Sequence, residues 1–165
     1  MILLMAAAAA AALPTPAPVP ATDRQIDFAG FERLTREVRP ERAKRRITLA
    51  RFQAMAAREG AIILDARSAS AFAQGHIAGA INLPLTDFTA EALAAALPDR
   101  TRAILIYCNN NFRNDSPPVM LKAPPVSLNI QTFINLKAYG YDNVYELGEI
   151  VDFNDSKVGW VTAAE

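Results

Sequence analysis

One cysteine, one histidine and one tryptophan among 165 residues leave several kinds of chemistry without material. A single thiol cannot close an internal disulfide, and a zinc site built from several thiolates falls with it. His76 alone gives no basis for a histidine-rich metal cluster, so no metal or other cofactor is expected. There is no surplus of charge either. Seventeen basic residues meet seventeen acidic ones, so no global field steers the chain to nucleic acid or to an anionic membrane. Partners are therefore read from sites, and Cys108 is either a buried apolar filler or a reactive thiol. The length fits one compact domain with a tail, because domains commonly run to roughly 100 to 200 residues. The 52% hydrophobic content is inflated by alanines near the start, yet it still supplies a core without metal or disulfide staples.

The first 21 residues, MILLMAAAAAAALPTPAPVPA, carry an apolar run from Ile2 to Leu13 that is too short to span a bilayer. It reads as a signal-peptide core followed by small residues, with Ala17 or Ala21 just before cleavage. No Lys or Arg precedes the run, and a disordered Ala/Pro leader is the alternative. The expectation is a periplasmic or secreted protein with no membrane span in its mature form. From Thr22 to Arg46 the chain is charged, with Arg33, Arg36, Arg39, Arg42, Lys44, Arg45 and Arg46 in its second part. This predicts a solvated helical arm, with an anion-binding patch as the sharper reading.

Beyond the arm, apolar strands alternate with helical stretches. Thr48 is placed to cap a helix through Leu49, Phe52, Met55 and Ala56 before Gly60, and AIIL (61–64) follows as a buried strand. SASAFAQG predicts a short helix, HIAGAINLPL a turn and a second extended run, and Thr89 to Leu97 a helix stopped by Pro98. AILIY (103–107) is the most apolar strand and delivers Cys108 at its carboxyl end. After a proline-rich loop, Ser127 opens a helix that Gly140 closes, and NVYEL (143–147) is the last strand. Such alternation predicts an α/β fold: a central parallel sheet with helices on both faces, its site at the carboxyl ends of the strands.

Three motifs in order then carry a family resemblance. LDARSASAFAQGHIAGAINLPL, the apolar strand ending in Cys108, and LKAYGYDNVYEL together resemble the rhodanese-like domain family from about Ile47 to Leu147. The resemblance implies a three-layer rhodanese-like fold over 47–165, with an insertion at 114–126. It also implies a sulfurtransferase that carries sulfane sulfur as a persulfide on Cys108. The partners would be a small anionic donor of the thiosulfate type and a thiol or cyanide-like acceptor, with a partner protein as a further candidate. Asp65, Arg67, Gly75, His76 and Asn82 read as scaffold of the opening motif, His76 tying a turn rather than acting as a base. A strand-end thiolate can be held by backbone amides and a helix terminus without a neighbouring imidazole.

The family loop commonly reads Cys-Arg-x-Gly-x-Arg. Here Cys108 is followed by Asn109, Asn110, Asn111, Phe112 and Arg113, the expected substrate-binding residues. Asn109 replaces the first arginine, Asn111 the glycine, and only Arg113 remains of the cation pair. NDSPPVMLKAPPV (114–126) stands before the helix, either as a lid with an apolar knuckle at Val119, Met120 and Leu121 or as a surface loop. Asp152, Asn154 and Asp155 read as a solvated turn rather than a calcium loop, and Trp160 as a closing core residue. The rival function is a non-catalytic rhodanese-like binding module. A cysteine phosphatase is disfavoured, because Tyr107 and Asn114 stand where its histidine and arginine would be needed.

Overall fold

The computed structural model describes residues 25–58 and 60–162, so the expected leader at 1–21 lies outside the described residues. At the centre is β5 (Ile104–Tyr107), buried at all four positions and flanked by β2 (Ile62–Asp65) and β6 (Val144–Leu147). β4 (Ala80–Asn82) pairs with β2, and β1 (Arg46–Ile47) with β6, giving one parallel sheet in the order β1-β6-β5-β2-β4. A strand buried on both sides needs no polar alternation, which is why β5 reads as an unbroken apolar run. Its side chains nevertheless divide between two cores by the period of two. Ile104 and Ile106 face one cluster with Leu64 and Val144, whereas Leu105 and Tyr107 face the other with Ile63 and Leu147.

The first face is covered by α4 (Ala90–Ala96), α5 (Leu128–Ala138) and α1 (Phe28–Arg45). The opposite face takes α2 (Leu49–Ala56), Phe112, Val119 and the closing segment with Val158 and Trp160. Thr48 and Thr89 cap α2 and α4 by accepting the backbone N–H of Arg51 and Ala92. Gly140 ends α5 at φ 81, with Tyr141 N–H returning to the Leu136 carbonyl at 3.0 Å in the manner of a Schellman motif. The antiparallel pair of β3 (His76–Ile77) and β7 (Trp160–Val161) clasps the closing segment to the turn after α3 (Ala69–Gln74).

The charged arm is helical and mostly exposed, and one face of it is packed rather than solvated. α1 packs on α5 and β6 through Leu34 and Val38, and runs directly into β1 of the sheet. Two apolar residues one turn apart are enough to seat it, and among so many arginines and glutamates they leave almost no periodic signal.

Asp65 and Arg67, at the end of β2, are both buried and paired. The Arg67 Nε donates to both Asp65 oxygens at 3.0 Å and its Nη2 to Oδ2 at 2.6 Å. The same guanidinium reaches the carbonyls of Gly75 (2.7 Å) and Pro118 (3.3 Å). Tyr107 donates its hydroxyl to Asp65 Oδ2 at 2.5 Å and accepts the N–H of Ile77. Burial opposes the charge on Arg67, but its bonds to Asp65 outweigh that and hold its pKa above the ordinary value. Burial, then the charge of Asp65, keeps Tyr107 protonated. Replacing Arg67 by alanine strands a buried carboxylate and is expected to destabilise the fold by about 3–5 kcal/mol. Tyr107→Phe removes two bonds and should take away about 1–3 kcal/mol. Urea unfolding of both variants checks that order; a smaller loss for Arg67→Ala than for Tyr107→Phe would show that the ion pair is not the anchor.

Candidate active site

Cys108 leaves β5 in extended backbone (φ −148, ψ −178), and a single 3-10 turn, Asn109–Asn111, curls back beneath it. The turn closes through Asn111 N–H to the Cys108 carbonyl at 3.0 Å, while the Asn111 side chain accepts the Cys108 N–H at 2.9 Å. This arrangement aims the backbone N–H groups of Asn110 and Asn111 at the sulfur, and Asn129 at the start of α5 adds a third. The helix terminus thus reaches the thiol despite the insertion in between. Ser127 sits at the cap position but its hydroxyl caps nothing. The N–H of Asn129, which such a cap would serve, is directed to sulfur, and that of Ile130 goes to the Ser127 carbonyl.

The five expected binding residues divide between framework and cavity. Asn111 is buried and donates to the carbonyls of Leu147 and Glu149, and Asn129 donates to it in turn. Asn109 reaches the Met120 carbonyl at 2.6 Å, and Asn110 exchanges bonds with the backbone of Lys122. Phe112 is fully buried, its ring edge-on to Tyr107 and Trp160. Arg113 is exposed, its guanidinium 3.5 Å from the Ile150 carbonyl, and it lines the cavity in front of Cys108.

That cavity, of about 580 Å³, also takes in Arg42 from α1 and Arg46 from β1, both from the basic run of the arm, together with two residues that the sequence did not single out, Glu146 from β6 and Asn129 from α5. Leu121 and Ile150, both exposed, form an apolar part of its wall. Glu146 is 4% exposed and accepts from Arg42 Nη2 at 2.6 Å. Besides that basic run, a glutamate inside the otherwise apolar final strand was the signal in the sequence that could have found this cluster.

The opening motif lies behind this site as its support. Asn82 donates to the carbonyls of Asp65 (2.8 Å) and Arg67 (3.0 Å), and His76 stacks on Phe72 with Nδ1 at 2.9 Å from that residue's carbonyl. Gly75 is extended (φ 166), and what it provides is space, since a Cβ there would lie 2.5 Å from the Trp160 indole nitrogen. Trp160 itself stacks on Phe153 and covers Arg67. The insertion is fastened: Val119 is fully buried, whereas Met120 and Leu121 are exposed and Leu121 borders the cavity. Asp152 caps its own turn and accepts from Asn114. Among the described residues there is no group of side chains that could hold a metal ion, and no helix long and apolar enough to cross a membrane.

A parallel sheet covered on both faces, with a lone thiol held at the end of its central strand by a ring of backbone amides, defines the class of a single-cysteine rhodanese-type domain. The sequence profile of the rhodanese-like domain matches residues 48–153, and the chain belongs to that family. Over 46 residues it is 39% identical to the thiosulfate sulfurtransferase PspE of Escherichia coli, a stretch covering 28% of this chain and 43% of that protein. Two solved structures share the fold. The rhodanese-like domain of an Anabaena protein superposes with a TM-score of 0.52 at 19% identity, over 72% of this chain and 79% of its own. A protein from Bacillus halodurans does so with 0.53 at 18%, over 80% and 87%.

Burial pushes the Cys108 thiol pKa up and the charge of Glu146 adds to it; the amides of Asn129, Asn110 and Asn111 pull it down without cancelling the rise. The reactive thiolate therefore forms above the pH of an ordinary cysteine, and reactivity climbs as pH rises through the displaced value. Alkylation of Cys108 by iodoacetamide should accordingly be slow at neutral pH, with its midpoint above that of an unfolded control. Glu146→Gln keeps an acceptor for Arg42 but removes the negative charge, so it should shift this midpoint downward. A midpoint at or below the control would mean that the amides and cations dominate over burial.

Proposed function

We propose that this protein is a sulfurtransferase carrying sulfane sulfur as a persulfide on Cys108, exported from the cytoplasm by its leader. The observation that carries the reading is the ring of backbone N–H groups from Asn110, Asn111 and Asn129 around the sulfur at the floor of a cavity bordered by arginines. Such a ring stabilises negative charge on sulfur and supplies no proton acceptor, which suits a nucleophile that passes through anionic states. The thiolate of Cys108 attacks the outer sulfur of a donor such as thiosulfate; the S–S bond breaks and its electron pair departs on sulfite. Cys108 then holds a persulfide anion. A thiolate or cyanide acceptor attacks the outer sulfur, and the bonding pair returns to Cys108 as its thiolate. Membership of the family and the partial likeness to a thiosulfate sulfurtransferase support the assignment.

A second reading, a rhodanese-like module that binds a partner without catalysis, is favoured by one feature: Cys108 is only 2% exposed and its pKa is raised. Intact mass separates the two. Incubation with thiosulfate should add one sulfur atom to the parent and none to Cys108→Ser, and cyanide should remove it as thiocyanate. Cys108→Ser should melt within a few degrees of the parent, because a hydroxyl of similar shape keeps the packing while remaining protonated. A parent that gains no sulfur from thiosulfate or from any other sulfane donor is the binding module. Export has its own measurement: amino-terminal sequencing should find the chain beginning after Ala17 or Ala21, and recovery of Met1 from soluble cytoplasm would exclude it.

A further inference from the structure

The loop after Cys108 carries asparagine where the family places its first arginine, and the Asn109 amide is committed to the Met120 carbonyl. Cations nevertheless border the cavity. Arg42 and Arg46 both lie before residue 48, where the family match begins, yet both line the cavity with Cys108. We propose that Arg46, with Arg42 behind it, is the anion-binding cation that the Cys108 loop lacks, so that the N-terminal helix and strand form part of the active site. This deepens the sulfurtransferase reading by naming the residues that recruit its anionic donor.

The construction is specific. β1 pairs Arg46 directly opposite Glu146 of β6, and the Gly148 N–H to Ile47 carbonyl bond at 2.8 Å fixes that register. Arg46 remains half exposed, with only a 3.4 Å bond to the Gly148 carbonyl and a 3.9 Å approach to Glu146, so most of its donors are free for a ligand. Arg42 is held deeper. Its Nη2 is bonded to Glu146, while its Nε is buried with no hydrogen-bond partner among the described residues, a donor suited to an oxyanion.

The carboxylates cancel these cations only in part. Glu146 is paired with Arg42, and Glu149 accepts the Leu49 N–H at the start of α2 at 2.6 Å. Three arginines against two carboxylates leave one positive charge in excess along the lining. Burial raises the pKa of Glu146, against the pull of Arg42 and Arg46. Arg113 faces the same cavity from the loop, so an anion entering in front of Cys108 meets guanidinium groups contributed by both ends of the domain.

Two alkylating reagents of nearly equal size read this out without any sulfur donor. Iodoacetate is anionic and iodoacetamide neutral, and in each case the Cys108 thiolate displaces iodide. In the parent the rate ratio of iodoacetate to iodoacetamide should exceed that of the unfolded chain and fall on addition of sodium chloride. Arg46→Ala should lower the ratio by about tenfold, and Arg46→Lys by less. Changes in thiol pKa move both rates together and leave the ratio alone. An unaltered ratio in Arg46→Ala, or a parent ratio indifferent to salt, overturns the assignment. If the ratio behaves as expected but no donor adds sulfur to Cys108, the anion site stands and the sulfurtransferase reading falls.

Discussion

The buried pair of Asp65 and Arg67 is the interaction on which the arrangement of this protein depends. Taking two charges out of water costs several kcal/mol for each ion, and attraction between them offsets this only where further hydrogen bonds satisfy what remains. Here they do. Beyond three contacts to Asp65, the Arg67 guanidinium binds the carbonyls of Gly75 and Pro118, and Asp65 accepts from the Tyr107 hydroxyl. One ion pair therefore joins the end of β2, the end of α3, the insertion, and the last residue of β5. Cys108 is the next residue after Tyr107, so the position from which the sulfur leaves the sheet is set by a carboxylate more than forty residues earlier in the chain.

The same economy links the altered loop to the insertion behind it. Asn109, which departs from the family pattern, and its neighbour Asn110 bond the backbone at Met120 and Lys122 through their side chains. The insertion needs those amides, because outside Val119 it buries little apolar surface of its own. Loop and insertion are thus one unit in which the cysteine loop surrenders side-chain chemistry to hold a neighbouring segment. Asn111 shows why this leaves the sulfur cradle standing. Its amide links the Cys108 N–H, the Asn129 side chain and the carbonyls of Leu147 and Glu149, which ties β5, α5 and β6 together at the thiol.

How far this was legible in the sequence follows from the range of the interactions involved. β5 could be read because an apolar run is a local signal, and α2, α4 and α5 because threonine caps and a terminal glycine are local too. Two-residue strands such as β1, β3 and β7 have no such signature; they exist only through partners far along the chain. The Arg42–Glu146 pair spans 104 positions, and Arg42 is one among many arginines in its own surroundings. Glu146 was the readable trace, since a carboxylate in a strand buried on both faces needs a partner brought by the fold. The helix terminus at Cys108 was hidden in a similar way, because thirteen inserted residues separate in sequence what Asn129 rejoins in space.

The electrostatics of the thiol pull in two directions, and under the proposed function the opposition divides the reaction cycle. In the resting state burial and Glu146 favour the protonated sulfur, so the barrier lies in ionising Cys108 before it can take up an outer sulfur atom. Once a persulfide has formed, its charge sits on the outer atom, one bond further from the buried strand end and towards the cavity that Arg46 and Arg113 border. Charge moved outward meets less desolvation and more cations, while the inner sulfur, now neutral, no longer opposes burial. The site is therefore built to favour the loaded state over the bare thiolate, as a sulfur carrier requires, and a merely reactive cysteine would be served better by a more open strand end.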